Sequence, residues 1–121
     1  MTAAEAFTQF ASRALSTSKA KRFASLASSE KGQHKILEVL CHKFEEAVLE
    51  TVIQRRNRGL PRNRPCFAFH TSCGFGATFQ TFEAAYDALS IADGWLILDI
   101  DGSIGVFRPE ARWDDEILIK P

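Results

Sequence analysis

The sequence predicts an α+β fold, with N-terminal helices, one of them long, followed by a small antiparallel sheet carrying one helix. Two observations predict it. Apolar residues recur at helical spacing through roughly the first 56 positions, and after a stretch holding Gly59, Pro61 and Pro65 the spacing changes to alternation. Helix-like and strand-like segments are also segregated rather than interleaved, which argues against a doubly wound nucleotide-binding sheet.

In chain order, Phe7, Phe10, Ala11, Ala14 and Leu15 line one face of a helix over 3–15. Ser16-Thr17-Ser18 interrupts it and offers an N-cap for a second, short helix from Lys19 to Ala27. Ser28 to Gly32 is the next break. A long helix is then expected from about Gln33 to about Arg56, with a stripe of Ile36, Leu37, Leu40, Phe44, Ala47, Val48 and Thr51. Leu49, Val52 and Ile53 add apolar surface that would bury its C-terminal half on more than one side.

Residues 57–65 read as a linker between a helical half, 1–56, and a sheet half, 66–121, within one domain. Cys66 to Thr71 alternates as a strand, with Phe67 and Phe69 on one face and Cys66, Ala68 and His70 on the other. Cys73-Gly74-Phe75-Gly76 is expected to turn, ahead of a short strand at Ala77 to Phe79. Thr81 can cap a helix with the stripe Phe82, Ala85, Tyr86 and Leu89, ending at Asp93-Gly94. Trp95 to Ile100 and Ile104 to Phe107 flank Asp101-Gly102-Ser103, a hairpin signal. Glu116 to Lys120 reads as a last edge strand.

The 121 residues are 45% apolar and 25% charged, an ordinary globular balance that excludes disordered, collagen-like and disulfide-scaffold classes. No apolar run has membrane-span length, and no signal-type segment is read near Met1, so a cytoplasmic location is expected. Three cysteines, Cys41, Cys66 and Cys73, cannot all pair within the chain, which fits reduced thiols. The net charge is zero, but its layout is split. Residues 1–64 carry 12 Lys/Arg against 6 Asp/Glu, and residues 65–121 carry 3 against 9. A net of +6 on one half and −6 on the other can steer a charged partner or draw the halves together.

Arg55, Arg56, Arg58, Arg62 and Arg64 place five guanidiniums in ten residues. The planar fork of arginine suits carboxylates and phosphates. These five are the candidate partner- or anion-binding residues, with Lys19, Lys21, Arg22, Lys31 and Lys35 extending the basic face. A protein partner is the leading expectation and nucleic acid the alternative. The zero net charge and the lack of a recognisable binding fold or aromatic platform weigh against nucleic acid. The bland account is a solvated loop near a helix C-terminus. If the helices leave part of the sheet uncovered, Phe and Ile side chains would be left for a homodimer interface.

Other motifs carry less. Leu96-Ile97-Leu98-Asp99-Ile100-Asp101-Gly102-Ser103 resembles the first motif of haloacid-dehalogenase-type phosphatases, whose first Asp is a nucleophile. Only 18 residues follow Ser103, too few for that family's domain, so a hairpin is the preferred reading. Cys66, His70 and Cys73, with Cys41 and His42, lack zinc-site spacing. Positions 66 and 70 of a strand lie roughly 13 Å apart, and no metal or other cofactor is expected. Cys73, with His70 as base and Gly74 and Gly76 freeing N–H groups, forms a second alternative, a thiol enzyme or small-ligand site. Against it, a buried cysteine ordinarily behaves as a small apolar residue. His42, between Glu38 and Glu45, reads as a solvated surface cluster. No residue is singled out as catalytic.

The segments Lys21-Arg22-Phe23, Ser29-Glu30-Lys31-Gly32, Lys35-Ile36-Leu37, Leu40-x-His42, Phe82-x-Ala84-Ala85, Asp101-Gly102 through Phe107 and Asp115-Glu116-Ile117-Leu118 together resemble a small bacterial family of uncharacterised cytoplasmic proteins. That resemblance implies a fold pattern and no catalytic residues. A looser, architectural likeness links the chain to immunity proteins of bacterial toxin systems, and implies a non-enzymatic inhibitor.

Overall fold

The computed structural model describes residues 1–55, 63–110 and 116–121, with Arg55 described in its backbone only. It has the α+β architecture expected. The elements are α1 (Ala3–Ala14), α2 (Thr17–Ala27), α3 (Glu30–His42), α4 (Phe44–Ala47), a 3-10 turn (Glu50–Val52), β1 (Ile53–Arg55), β2 (Cys66–His70), β3 (Gly74–Phe79), α5 (Phe82–Leu89), β4 (Trp95–Asp99), β5 (Gly105–Arg108) and β6 (Ile117–Ile119). The sheet is antiparallel at every pairing, in the order β1-β6-β5-β4-β2-β3.

Local chemistry explains the helix starts. Thr2 and Glu5 form a reciprocal capping box at α1: the Glu5 amide donates to the Thr2 hydroxyl and the Thr2 amide to the Glu5 carboxylate. Ser29 accepts from the Gly32 amide at α3, and Thr81 from the Ala84 amide at α5. The strand alternation is equally direct. Phe67, Phe69, Leu96, Leu98, Phe107, Ile117 and Ile119 face α1 to α4, while Cys66, Ala68, Trp95, Ile97, Val106 and Leu118 form the α5 side.

The larger core is aromatic. Phe7 packs against Phe23, Phe69 and Phe75 with centroids 5.5 to 6.1 Å apart, and Phe44 meets Phe23 and Phe107 edge-on. Through Phe23, α2, which packs on α1 and α3, joins this core.

Four expectations need correction. The long helix does not reach Arg56. It ends at His42, where Lys43 leaves helical geometry, and only one turn, α4, follows. Val48 becomes extended and bridges Leu15, with the Leu49 amide bonded to the Ala14 carbonyl. The β-branched run Thr51-Val52-Ile53 then leads into β1, paired with β6, because sheet pairing outweighs a weak helical pattern. The first half of the chain thus supplies a sheet strand. Second, β6 lies between β5 and β1 and is not an edge. Third, the turn falls at residues 71–73, and Gly74 already begins β3; Gly76, at φ +85°, is a bulge opposite Ala68–Phe69. Fourth, the break after α2 is shorter, with Ser29 capping α3 directly.

Candidate functional site

The arginine segment begins and ends on described structure. Arg55 closes β1 opposite Ile117, a level shared with Phe107, Leu96 and Phe69 across the sheet. Cys66, just after Arg64, lies at the other end of β2, opposite Asp99. β1 and β2 are four strand positions apart, about 19 Å at the usual spacing. Arg56, Arg58 and Arg62 lie outside the described residues, as does the side chain of Arg55.

Arg64 is described, and its guanidinium is held by the β4–β5 turn. Nε lies 3.4 Å from Asp99 Oδ1, and Nη2 lies 3.5 Å from Asp101 Oδ2, with the side chain 45% exposed. The turn presents these carboxylates rigidly. The Gly102 amide donates to the Asp99 carbonyl, the Ile100 amide to Asp99 Oδ1 and the Ser103 amide to Asp101 Oδ1. Gly102 adopts φ +73°, and a Cβ there would sit 2.3 Å from the Ala6 carbonyl of α1. The two acids differ. Burial pushes the Asp99 carboxyl up, against the Ile100 amide and the Arg64 charge, whereas hydrogen bonding from Ser103 holds Asp101 down. Both neighbours of β4 run antiparallel to it, so the Asp-x-Asp-Gly-Ser run is a hairpin.

His70 and Cys73 are near in sequence but engage different groups. His70 Nδ1 accepts from the Ser72 amide at 3.1 Å and lies 2.8 Å from the Ser72 hydroxyl. Cys73 Sγ contacts the carbonyls of Ala68 and Gly74 at 3.8 Å, and burial pushes its thiol up. Backbone hydrogen bonds at His70 and Cys73 pull the other way, but burial outweighs them and the thiol form is favoured. Burial also pushes Cys66 to about 11, with Asp99 adding to it. Among the described residues no group of three or more His, Cys, Asp or Glu side chains could hold a metal. His42 Nδ1 lies 3.0 Å from Glu110 Oε2, a partner 68 residues away that helix offsets could not indicate.

Sequence reasoning did not single out Arg108, a buried charge only 3% exposed. Its Nη1 donates to the carbonyls of Ser90 (2.6 Å) and Ala92 (3.2 Å) at the end of α5. Its Nη2 donates to Tyr86 Oη (2.9 Å) and Glu116 Oε1 (2.5 Å), while Tyr86 donates to the same Glu116 oxygen at 2.6 Å. The guanidinium also lies 5.4 and 5.0 Å from the ring centroids of Tyr86 and Trp95. Burial pushes Glu116 up, but the bonds from Tyr86 and Arg108 outweigh it and the net shift is downward. This cluster fastens α5 to β5 and β6; Nε of Arg108 is buried without a partner. The strand expected from the sequence stopped at Phe107, so no local signal marked Arg108; its place on β5 and its partners come from the tertiary structure.

The basic residues of the helical layer stay on the surface. Lys19, Lys21, Arg22, Lys31 and Lys35 are exposed. Lys19 Nζ reaches the Glu46 carbonyl at 3.5 Å. No helix among the described residues is long and apolar enough to cross a membrane. No protein-family model, curated protein or solved structure matches the chain.

Proposed function

We propose that this chain is a non-enzymatic protein-binding module, an inhibitor or immunity-type factor of the cytoplasm, that recognises an acidic partner through its arginine segment. The observation that carries the reading is the density of arginine between Arg55 and Arg64, on a segment anchored at both ends. Arg64 acts as the anchor, since Asp99 and Asp101 already engage it. Arg55, Arg56, Arg58 and Arg62 supply the recognition charge. Their forks match carboxylates, and complementary charge chiefly sets encounter rate and partner choice.

The test is co-purification of the tagged protein from its native cells at low salt, with nuclease present. A stoichiometric protein partner is expected, and the double variant Arg56→Glu, Arg62→Glu should lower its affinity at least about tenfold, since like charges at an interface cost several kcal/mol. Unchanged recovery with the double variant removes the segment from the interface.

The exposed Lys21, Arg22, Lys31 and Lys35 favour a second reading, association with nucleic-acid phosphates. It predicts material released by nuclease and a steep loss of binding with salt, because phosphate contacts release counterions. A flat salt response rejects it.

A further inference from the structure

Strand β3 is an edge of the sheet, and its chemistry is unusual for an edge. Natural edges are guarded by Lys, Pro, inward charges or bulges. Residues 66–82 contain no Asp, Glu, Lys, Arg or Pro, in a chain that is 25% charged. The bulge at Gly76 is not an effective guard. It falls at the third of the strand's six residues, where a Cβ would strike Ala3 of α1, so close helix packing accounts for it. Beyond it, Ala77, Thr78 and Phe79 keep regular register with Ala68, Phe67 and Cys66.

The register also shows which groups are open. The Asp99 amide donates to the Ile104 carbonyl, across β4 and β5. Antiparallel alternation then turns Leu98 toward β2, Phe67 toward β4, and Cys66 and Ala68 toward β3. Ala77 and Phe79 face β2 in return, and the N–H and C=O of Thr78 point away from the sheet. Thr78 is the exposed residue of the strand. Among the described residues, nothing outside the β2 ladder bonds to β3 from that side.

We propose that β3 is a self-association edge, pairing antiparallel with β3 of a second copy about a two-fold axis at Thr78 to give a continuous twelve-stranded sheet. A second copy fits better than a charged strand because this edge offers no counter-charge, and a neutral strand meets its own copy without repulsion. An antiparallel pair is also self-complementary under a two-fold axis. At Thr78 the two copies exchange an N–H and a C=O each, and Gly76 lies opposite Gln80 on either side.

The test is sedimentation velocity on the full chain from low micromolar to several hundred micromolar. Wild type should shift from monomer to dimer across that range. Thr78→Lys and Thr78→Glu should each be monomeric, with the dissociation constant raised at least about tenfold, because like charges directly opposite destabilise a strand pair. An equimolar mixture of the two variants should regain the dimer. Unchanged thermal melts would show that each variant folds, and either one alone suffices for the single-variant arm. A wild-type monomer throughout, a dimer indifferent to both substitutions, a mixture that stays monomeric, or a larger assembly with another protein at this edge would each overturn the proposal.

Discussion

At the scale of single residues, Arg108 and Glu116 show how a buried charge is tolerated. Arg108 is desolvated on every side, and Glu116 is the carboxylate that compensates it. Removing one member of such a pair leaves an unpaired buried charge. Glu116→Gln should therefore cost about 3 kcal/mol in urea unfolding at neutral pH, more than a surface substitution's usual half kcal/mol or less. The pH dependence has a definite sign. The folded pKa of Glu116 is depressed, so its contribution is present above the unfolded carboxyl value and lost as pH falls through the folded one. Asp99 works the other way: its raised pKa means that protonation relieves a folded-state penalty as pH falls through that value. Stability measured from neutral pH into the acid range should thus fall less steeply in Glu116→Gln than in wild type. An equal slope would assign the acid loss to other carboxylates.

At the scale of elements, most boundaries follow from local chemistry that the sequence displays. Thr81 and the Asp101-Gly102 turn announce a helix start and a hairpin, and each forms as expected, while the structure adds the Thr2–Glu5 capping box at α1. The segment after His42 does not. Its apolar positions fit a helical stripe and a strand about equally well, and the choice rests on β6, more than 60 residues later. The β4–β5 turn shows a second kind of dependence. Gly102 serves the turn through its positive φ and serves α1 through its close approach to Ala6. Gly102→Ala should cost more than the ~1 kcal/mol of a simple left-handed penalty, because the added methyl collides with backbone. Thermal unfolding checks this, and a loss within the ordinary left-handed range would mean that α1 moves aside freely.

At the scale of the whole molecule, the helical layer and the sheet share one aromatic core. Phe7 and Phe44 are buried completely and touch rings from both layers. Phe44→Ala should cost about 3–5 kcal/mol, the usual range for a buried aromatic truncation. It should lower the helical and aromatic circular-dichroism transitions together, since a domain of this size ordinarily unfolds as one unit. Separate midpoints would mean that the layers are independent. The charge split seen in the sequence takes a different form in three dimensions. Arg64 spends its charge on Asp99 and Asp101 of the acidic half, and β1 stitches the basic half into the sheet.

The sequence by itself determined the fold class, the two faces of β2, the Thr81 cap and the hairpin, because these depend on neighbours within a few positions; the Ser16 offered as a cap for α2 makes no side-chain cap bond. The sequence also displayed the arginine segment and the uncharged stretch from 66 to 82. Only the tertiary structure decided where β1 pairs, that β6 is internal, that β3 is an edge, and that Arg108 is enclosed by Tyr86, Trp95 and Glu116. The reason is physical. Helix caps and turns are settled by short-range sterics and hydrogen bonds, while strand order and buried charge pairs are settled by contacts between residues tens of positions apart, whose energies no local pattern records.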